Sequence, residues 1–232
     1  LVRHQKLKEL LIAMGLDLLT NQLVFATRLP KGEETRQRLV AAAEALILKQ
    51  GYAGTSLDDV LSATGLTKGA FFHHFEGKAD LARAVVEAYA DGQHVLFREW
   101  SERADRLSDD ALERLLIFLR LFEEHLDGRD DPFTGCIFAS YTHEGAKFDD
   151  EIHRYIKEQL HKWQSLFLEK FKALVAVRRP VMPVKAEALA EMIMAIIEGG
   201  LIMANAYRDP QLLQRQLRQF RYYLDVLFKS AE

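Results

Sequence analysis

Apolar positions in the first third of the chain recur at helical intervals, and the breaks between them are short. Over 33–50, Leu39, Ala42, Ala43, Leu46 and Ile47 fall three and four apart, which predicts a helix with one buried face that Gly51 ends through a left-handed turn. Ser56 followed by Asp59 has capping-box spacing, and Leu57, Val60 and Leu61 behind it predict a second, short helix ending by Gly65. Thr67 is placed to cap a third helix, in which Phe71 and Phe75, four apart, share one face while Lys68, Phe72, His73 and His74 project elsewhere. Gly77 precedes a fourth helix over about 78–101, with Leu81, Ala84, Val85, Ala88 and Tyr89 along one side. Two short helices joined by a glycine-containing turn read as a helix-turn-helix, the unit that lays its second helix in the DNA major groove.

Helical periodicity continues over 111–126, 137–146, 150–175, 184–207 and 211–228, with breakers at Asp130-Asp131-Pro132, Lys147-Phe148, Pro180 with Pro183, and Asp209-Pro210. No run alternates as a strand does, and no internal repeat is present, so the fold class is all-α. Residues 1–30 carry Leu7, Leu10, Leu11, Met14, Leu18 and Leu19 at helical spacing, interrupted by Gly15 and by Thr20-Asn21. They form an N-terminal extension to which the pattern assigns no role. The expected organisation is this extension, a helix-turn-helix head over 31–78 and a larger helical body over 79–232.

Composition narrows the function. The 232 residues, 49% of them hydrophobic, suffice for a small core of ~50 residues and a larger one of ~150. A formal net charge of −3 argues against a chain coated in positive charge for sequence-blind wrapping of nucleic acid, so contact with DNA must be local. The single cysteine, Cys136, excludes an internal disulfide framework and a paired-cysteine zinc motif, which fits a reducing cytoplasm. Apolar stretches are broken by charge well short of the ~20 residues that span a bilayer, so neither a membrane span nor a signal peptide is expected.

Thr35-Arg36 opening the first helix, Ala41-Ala42-Ala43, Gly51-Tyr52, Thr55-Ser56, Gly65, Lys68-Gly69 and Phe72-His73-His74-Phe75-x-x-Lys78-x-x-Leu81 together resemble the TetR family of transcriptional regulators. The resemblance implies a three-helix DNA-binding head, a helical body with an effector pocket, and a homodimer joined through the last two helices. It implies that Thr67, Lys68, Gly69 and Ala70 face base edges, the small residues permitting close approach. Arg36, Thr55, Ser56, His73, His74 and Lys78 are then expected on the DNA side of the head, mainly as phosphate contacts. Phe72 stands where the family usually has Tyr, so the ring is kept and a hydroxyl contact to phosphate is lost. Arg36, Arg38, Lys49, Lys68, Lys78 and Arg83 are interspersed with Glu44, Asp58, Asp59, Glu76 and Asp80, so useful affinity would need two heads on two half-sites.

The body holds more aromatic and soft apolar surface than a minimal bundle requires. Trp100, Phe118, Phe122, Phe138, Tyr141, Trp163, Phe167 and Met192 are the candidate walls of a pocket, with Thr142, His143, Glu144 and Asn205 as polar anchors. A plain aromatic core explains any one of these equally well. Gly135-Cys136-Ile137-Phe138-Ala139 resembles a Gly-Cys run of one subset of these regulators. Cys136, a further pocket candidate, has no Lys, Arg or His within five residues to activate a thiol sensor, so an inert buried cysteine is the favoured reading. His143, Glu144, Asp149, Asp150 and His153 lack the spacing of a zinc helix and read as a capped helix junction; no metal or cofactor is expected. No nucleophile elbow, phosphate-binding glycine loop or nucleophile–base pair is present, so no enzyme activity is expected. Ile193, Ile197 and Leu201 with Gly199-Gly200, then Leu213, Leu217, Phe220 and Leu224, give the last two helices apolar surplus for a four-helix, isologous dimer contact.

The expected function is a homodimeric regulator, a repressor in sense, that leaves a two-fold operator when a small hydrophobic or aromatic effector enters the body. The alternative is a small-molecule-binding helical protein whose head makes protein contacts; an enzyme acting on a hydrophobic substrate ranks third.

Overall fold

The computed structural model describes residues 30–127, 135–143 and 150–229. The expectations for residues 1–29, the side chain of His143, Glu144 and Asp149 lie outside the described residues. Every regular element among those described is an α-helix. In chain order these are α1 (Lys31–Gly54), α2 (Leu57–Thr64), α3 (Lys68–Phe72), α4 (Lys78–Leu107), α5 (Ala111–Asp127), α6 (Ile137–His143), α7 (Asp150–Val177), α8 (Ala186–Tyr207) and α9 (Leu212–Leu227).

The boundaries follow from local chemistry. Gly51 sits at φ 75, which kinks α1 where an L side chain would be strained, and the last turn runs on to Gly54. Ser56 and Asp59 complete the capping box: the Asp59 amide donates to Ser56 Oγ at 3.1 Å and the Ser56 amide to Asp59 Oδ2 at 2.8 Å. That arrangement, led by the Ser56 hydroxyl, holds the Asp59 carboxyl below the usual carboxylate range. Gly65, at φ 66, closes α2 in the left-handed region, and Thr67 Oγ1 accepts the Ala70 amide to start α3. The fourth helix is longer than its periodicity suggests, because Trp100 and Ala104 carry its buried face on to Ser108, whose extended φ −154 ends it. Ala88, expected on that face, is exposed.

One continuous hydrophobic core runs from the small unit into the body. Leu39, Ala43, Ile47, Val60, Phe71 and Phe75 close the small unit of α1, α2 and α3, and α4 packs against α1. Beyond it α4 packs on α5, α7 on α8, and α8 on α9. Fully burying each large apolar side chain contributes ~1.5–3 kcal/mol, so these faces set the arrangement of the helices. One buried charge, Glu123, is clamped by Arg221, whose Nη2 donates to Oε2 at 3.2 Å, and by Arg218 at 3.8 Å, which fixes α5 to α9. Small unit and body meet where the Tyr52 ring lies 5.5 Å from that of Tyr141 and the Tyr141 hydroxyl donates to the Ala82 carbonyl at 3.2 Å.

Candidate nucleic-acid interface

The left-handed turn at Gly65 swings α3 clear of the small core, so that Phe71 anchors it from within while its opposite side faces outward. Thr67, Lys68, Gly69 and Phe72 are exposed there, Phe72 at 56%, with Ala70 partly covered. A Cβ added to Gly69 would meet nothing nearer than Thr67 Oγ1 at 3.9 Å, so packing within the chain does not demand glycine at that position. Its small size instead leaves the backbone approachable from outside. Thr67 has its side-chain oxygen engaged as the cap, and Lys68 pairs with Asp58 at 3.1 Å. Both of those groups are exposed, so the pair is weak and exchanges readily for a phosphate or a base. Ser56 and His73 are exposed beside this surface, and His74, half-buried, meets His73 ring to ring at 5.0 Å. Arg36 lies over the Phe75 ring at 5.2 Å, so its guanidinium also braces the core.

Two expected phosphate contacts are corrected. Thr55 is only 2% exposed, and its hydroxyl donates to the Gly51 carbonyl at 2.8 Å, which holds the kink of α1 and leaves nothing for a phosphate. Lys78 Nζ donates to the Tyr52 carbonyl at 2.7 Å and lies 4.0 Å from the Tyr52 ring centroid. The lysine at the start of α4 therefore locks the end of α1, against the ring that touches Tyr141. Tyr52 carries no charge and follows a glycine, so periodicity alone could not mark it as the joint between small unit and body.

In the body the named aromatic residues pack on one another. Phe138 and Trp163 have ring centroids 4.9 Å apart, Trp100 and Phe122 5.3 Å, and Phe118 and Phe167 5.8 Å, and all six are buried with Tyr141. They make the core that the sequence left as the competing explanation. Met192 and Asn205 are corrected outward: both are exposed on α8, Met192 at 42%. Thr142 is exposed and lines a cleft of about 540 Å³ between α6, α7 and α8. Cys136 is buried; burial first, then the neighbouring Glu198 carboxylate, pushes its thiol far above the ordinary value, which disables it as a nucleophile. Both Glu198 oxygens are shielded from solvent without a hydrogen-bond partner of ordinary geometry, as is Trp163 Nε1, although the Cys136 thiol lies close enough to act on the carboxyl. Burial raises the Glu198 carboxyl above its usual range. Sequence reasoning missed Glu198; a lone acid directly after the apolar run 192–197 was the available signal.

The side chains expected to join two subunits are also corrected. Ile193, Ile197, Leu213, Leu217, Phe220 and Leu224 are buried within the chain, and Leu201 is half-covered. Gly200 explains the closeness of α8 and α9, since a Cβ there would come within 2.6 Å of Leu213 Cδ1 and 3.3 Å of Leu213 Cα. The opposite side of these helices exposes Met192, Gly199, Ile202, Met203, Tyr222 and Val226. No helix among the described residues is long and apolar enough to cross a membrane.

Comparison with known proteins agrees with this geometry. The family described as bacterial regulatory proteins, tetR family, matches residues 39–85, and the transcriptional regulator LmrA/YxaF-like C-terminal domain matches residues 111–219. The HTH-type transcriptional regulator TtgR of Pseudomonas putida is 30% identical over 176 residues, covering 73% of this chain and 79% of the relative. Transcriptional regulator AcuR of Cereibacter sphaeroides is 27% identical over 192 residues, covering 82% and 85%. The crystal structure of regulatory protein TetR from Rhodobacter sphaeroides matches with a TM-score of 0.70 at 26% identity, over 81% of this chain and 97% of that one. With an exposed, small-residue α3 set on a helix-turn-helix and both parts of the chain matched, this protein belongs to the TetR family of transcriptional regulators.

Proposed function

We propose that the protein is a ligand-responsive repressor that binds a two-fold operator as a homodimer, with residues 31–78 as the head and 79–232 as the effector-binding and dimerisation body. The observation that carries this reading is the continuity of α4. Lys78 at its start locks Tyr52 in the head, and its far part, Trp100 to Ala104, lies in the body core, ~33–39 Å away at 1.5 Å per residue. A tilt of that rod in the body displaces α3, and two heads read adjacent half-sites only near the ~34 Å spacing of one DNA turn. An effector acts only through differential affinity for the two tilts.

The exposed face of Met192, Gly199, Ile202 and Met203 on α8, with Tyr222 and Val226 on α9, supports an isologous four-helix contact, since a monomer would leave it in water. On the DNA side, Thr67, Lys68, Gly69 and Ala70 are the base-facing group, and Ser56, Phe72, His73 and His74 flank the backbone. The test uses a duplex selected by the protein from a random pool. Lys68→Ala and His74→Ala should each weaken binding, Lys68→Ala by about tenfold for a lost contact of ~1–3 kcal/mol. Unchanged binding by both folded variants refutes the surface, and a monomer at micromolar concentration in sedimentation refutes the dimer.

A further inference from the structure

The α4 helix begins at the head with Lys78 and ends at Leu107, and just beyond that end Asp110 meets Arg178 of the chain between α7 and α8. There, at the end of the body away from the head, residues 177–185 and the end of α9 wall a cleft of about 1070 Å³. Its wall is held in place: the Val181 amide donates to the Leu227 carbonyl at 2.8 Å, Arg178 reaches Asp110 at 2.7 Å, and Pro180 and Pro183 restrict the backbone. Val177, Val181, Met182, Val184, Ala188 and Phe228 make the lining apolar, and Val177 and Val181 stand 69% and 62% exposed. Arg179, Lys185 and Lys229 line it too, all three exposed, and no lining residue is acidic. Two acids of adjoining elements are already engaged, Asp110 by Arg178 and Glu187 by Lys172 at 3.8 Å. The cleft of about 540 Å³ between α6, α7 and α8 has both Lys157 and Glu191 in its lining and favours neither sign, so charge singles out the distal cleft.

We propose that this distal cleft binds an organic anion with an apolar chain, an alkyl carboxylate, its chain on Val181, Met182, Val184 and Phe228 and its head among Arg179, Lys185 and Lys229. The site goes beyond the DNA-binding and effector reading given above and does not rest on it. A volume of this size accommodates an organic ligand, and covering Val181 and Met182 removes apolar surface that otherwise stands in water, which supplies affinity whatever the head group. The three cations supply the sign: a carboxylate is attracted, an alcohol gains little from them, and an ammonium is repelled. Each exposed ion pair is weak and screened by salt, so the preference is the sum of the three and shrinks as ionic strength rises. Arg178 adds nothing to it, because its guanidinium is held by Asp110. DNA fits the cleft poorly, since a phosphate backbone would have to lie on apolar side chains at the far end of α4 from the exposed α3.

Isothermal titration of the full chain with octanoate, octan-1-ol and octylammonium, each below its aggregation limit, tests class and site together. Octanoate should bind about tenfold more tightly than the alcohol at low salt, with the ammonium weakest, and high salt should cut that advantage to about twofold. Arg179→Gln combined with Lys185→Gln, both at exposed positions, should bring octanoate and the alcohol within about twofold at low salt. Ala188→Trp, at an exposed position of α8 that lines the cleft, should block octanoate, whereas Ala195→Trp in the α6–α7–α8 cleft should leave it unchanged, the far-ultraviolet spectrum being retained in both. Equal binding of octanoate and octanol, a preference that survives the double change, or octanoate indifferent to Ala188→Trp or blocked equally by Ala195→Trp overturns the site. Binding to phosphatidylglycerol vesicles without binding of dispersed octanoate also overturns it, since that pattern belongs to a membrane surface.

Discussion

Replacing Lys78 by Met keeps the stem that packs in the head and removes the ammonium, which separates a structural lysine from a phosphate contact. The ammonium makes a 2.7 Å hydrogen bond to the Tyr52 carbonyl and lies 4.0 Å from the Tyr52 ring centroid. A hydrogen bond from a charged donor is worth ~1.5–3 kcal/mol and a cation–π contact at a partly exposed site ~0.5–1 kcal/mol. The two share one ammonium that is only half-buried, and the Tyr52 carbonyl keeps a second donor, the Thr55 amide at 3.2 Å, so no orphan acceptor results. The net loss is therefore ~1–2 kcal/mol, which for a chain of this size lowers Tm by about 3–6 °C. Thermal unfolding checks the stability, and fluorescence anisotropy on the selected duplex at several salt concentrations checks the DNA contact. A lysine that neutralises a phosphate contributes ~0.9 to the slope of log K against log salt, whereas Lys78→Met should lower affinity and leave the slope unchanged. Unaltered stability with a slope shallower by ~0.9 for each lysine removed would refute the role drawn from the geometry.

Gly200→Ala should destabilise the chain by up to about 2 kcal/mol: overpacking against Leu213 costs ~1–3 kcal/mol, partly offset by the ~1 kcal/mol that Ala gains over Gly in a helix. Gly92→Ala, on α4 with nothing within 4 Å, should instead stabilise, and denaturant melts of the two variants compare them directly. Glu198 has a folded pKa above its ordinary 4.5, so its contribution is fully present below that pH and is lost as pH rises through the elevated value. Glu198→Gln should therefore melt increasingly above the parent as pH climbs from mildly acidic to neutral, and a gap that stays constant with pH counts against it. Phe72→Tyr restores a hydroxyl on an exposed ring beside α3 and should tighten DNA binding about fivefold, the ~1 kcal/mol of one hydrogen bond, with the salt slope unaltered because no charge is added.

The sequence by itself determined the helices and the head. Spacing of three and four located the described helices to within a few residues, the six-residue extension of α4 to Leu107 excepted, because a periodic face and a cap are local properties of neighbouring residues. The Ser56–Asp59 box, the Thr67 cap and the turn glycine Gly65 were legible for that reason, and so was the outward side of α3 once Phe71 was taken inward. What only the tertiary structure decided was which partner each side chain meets. Lys78 looked like a phosphate contact until the end of α1 came back over it, twenty-six residues earlier in the chain. The apolar residues of α8 and α9 were equally fit for a subunit contact or for each other; Gly200 brings the two helices close enough to bury Ile193, Ile197, Leu213 and Leu217, which turns Met192, Gly199 and Ile202 outward. Glu198 shows the same limit, because burial of its carboxyl beside Cys136 arises from the packing of α6, α7 and α8 together, which the order of residues along α8 alone does not give.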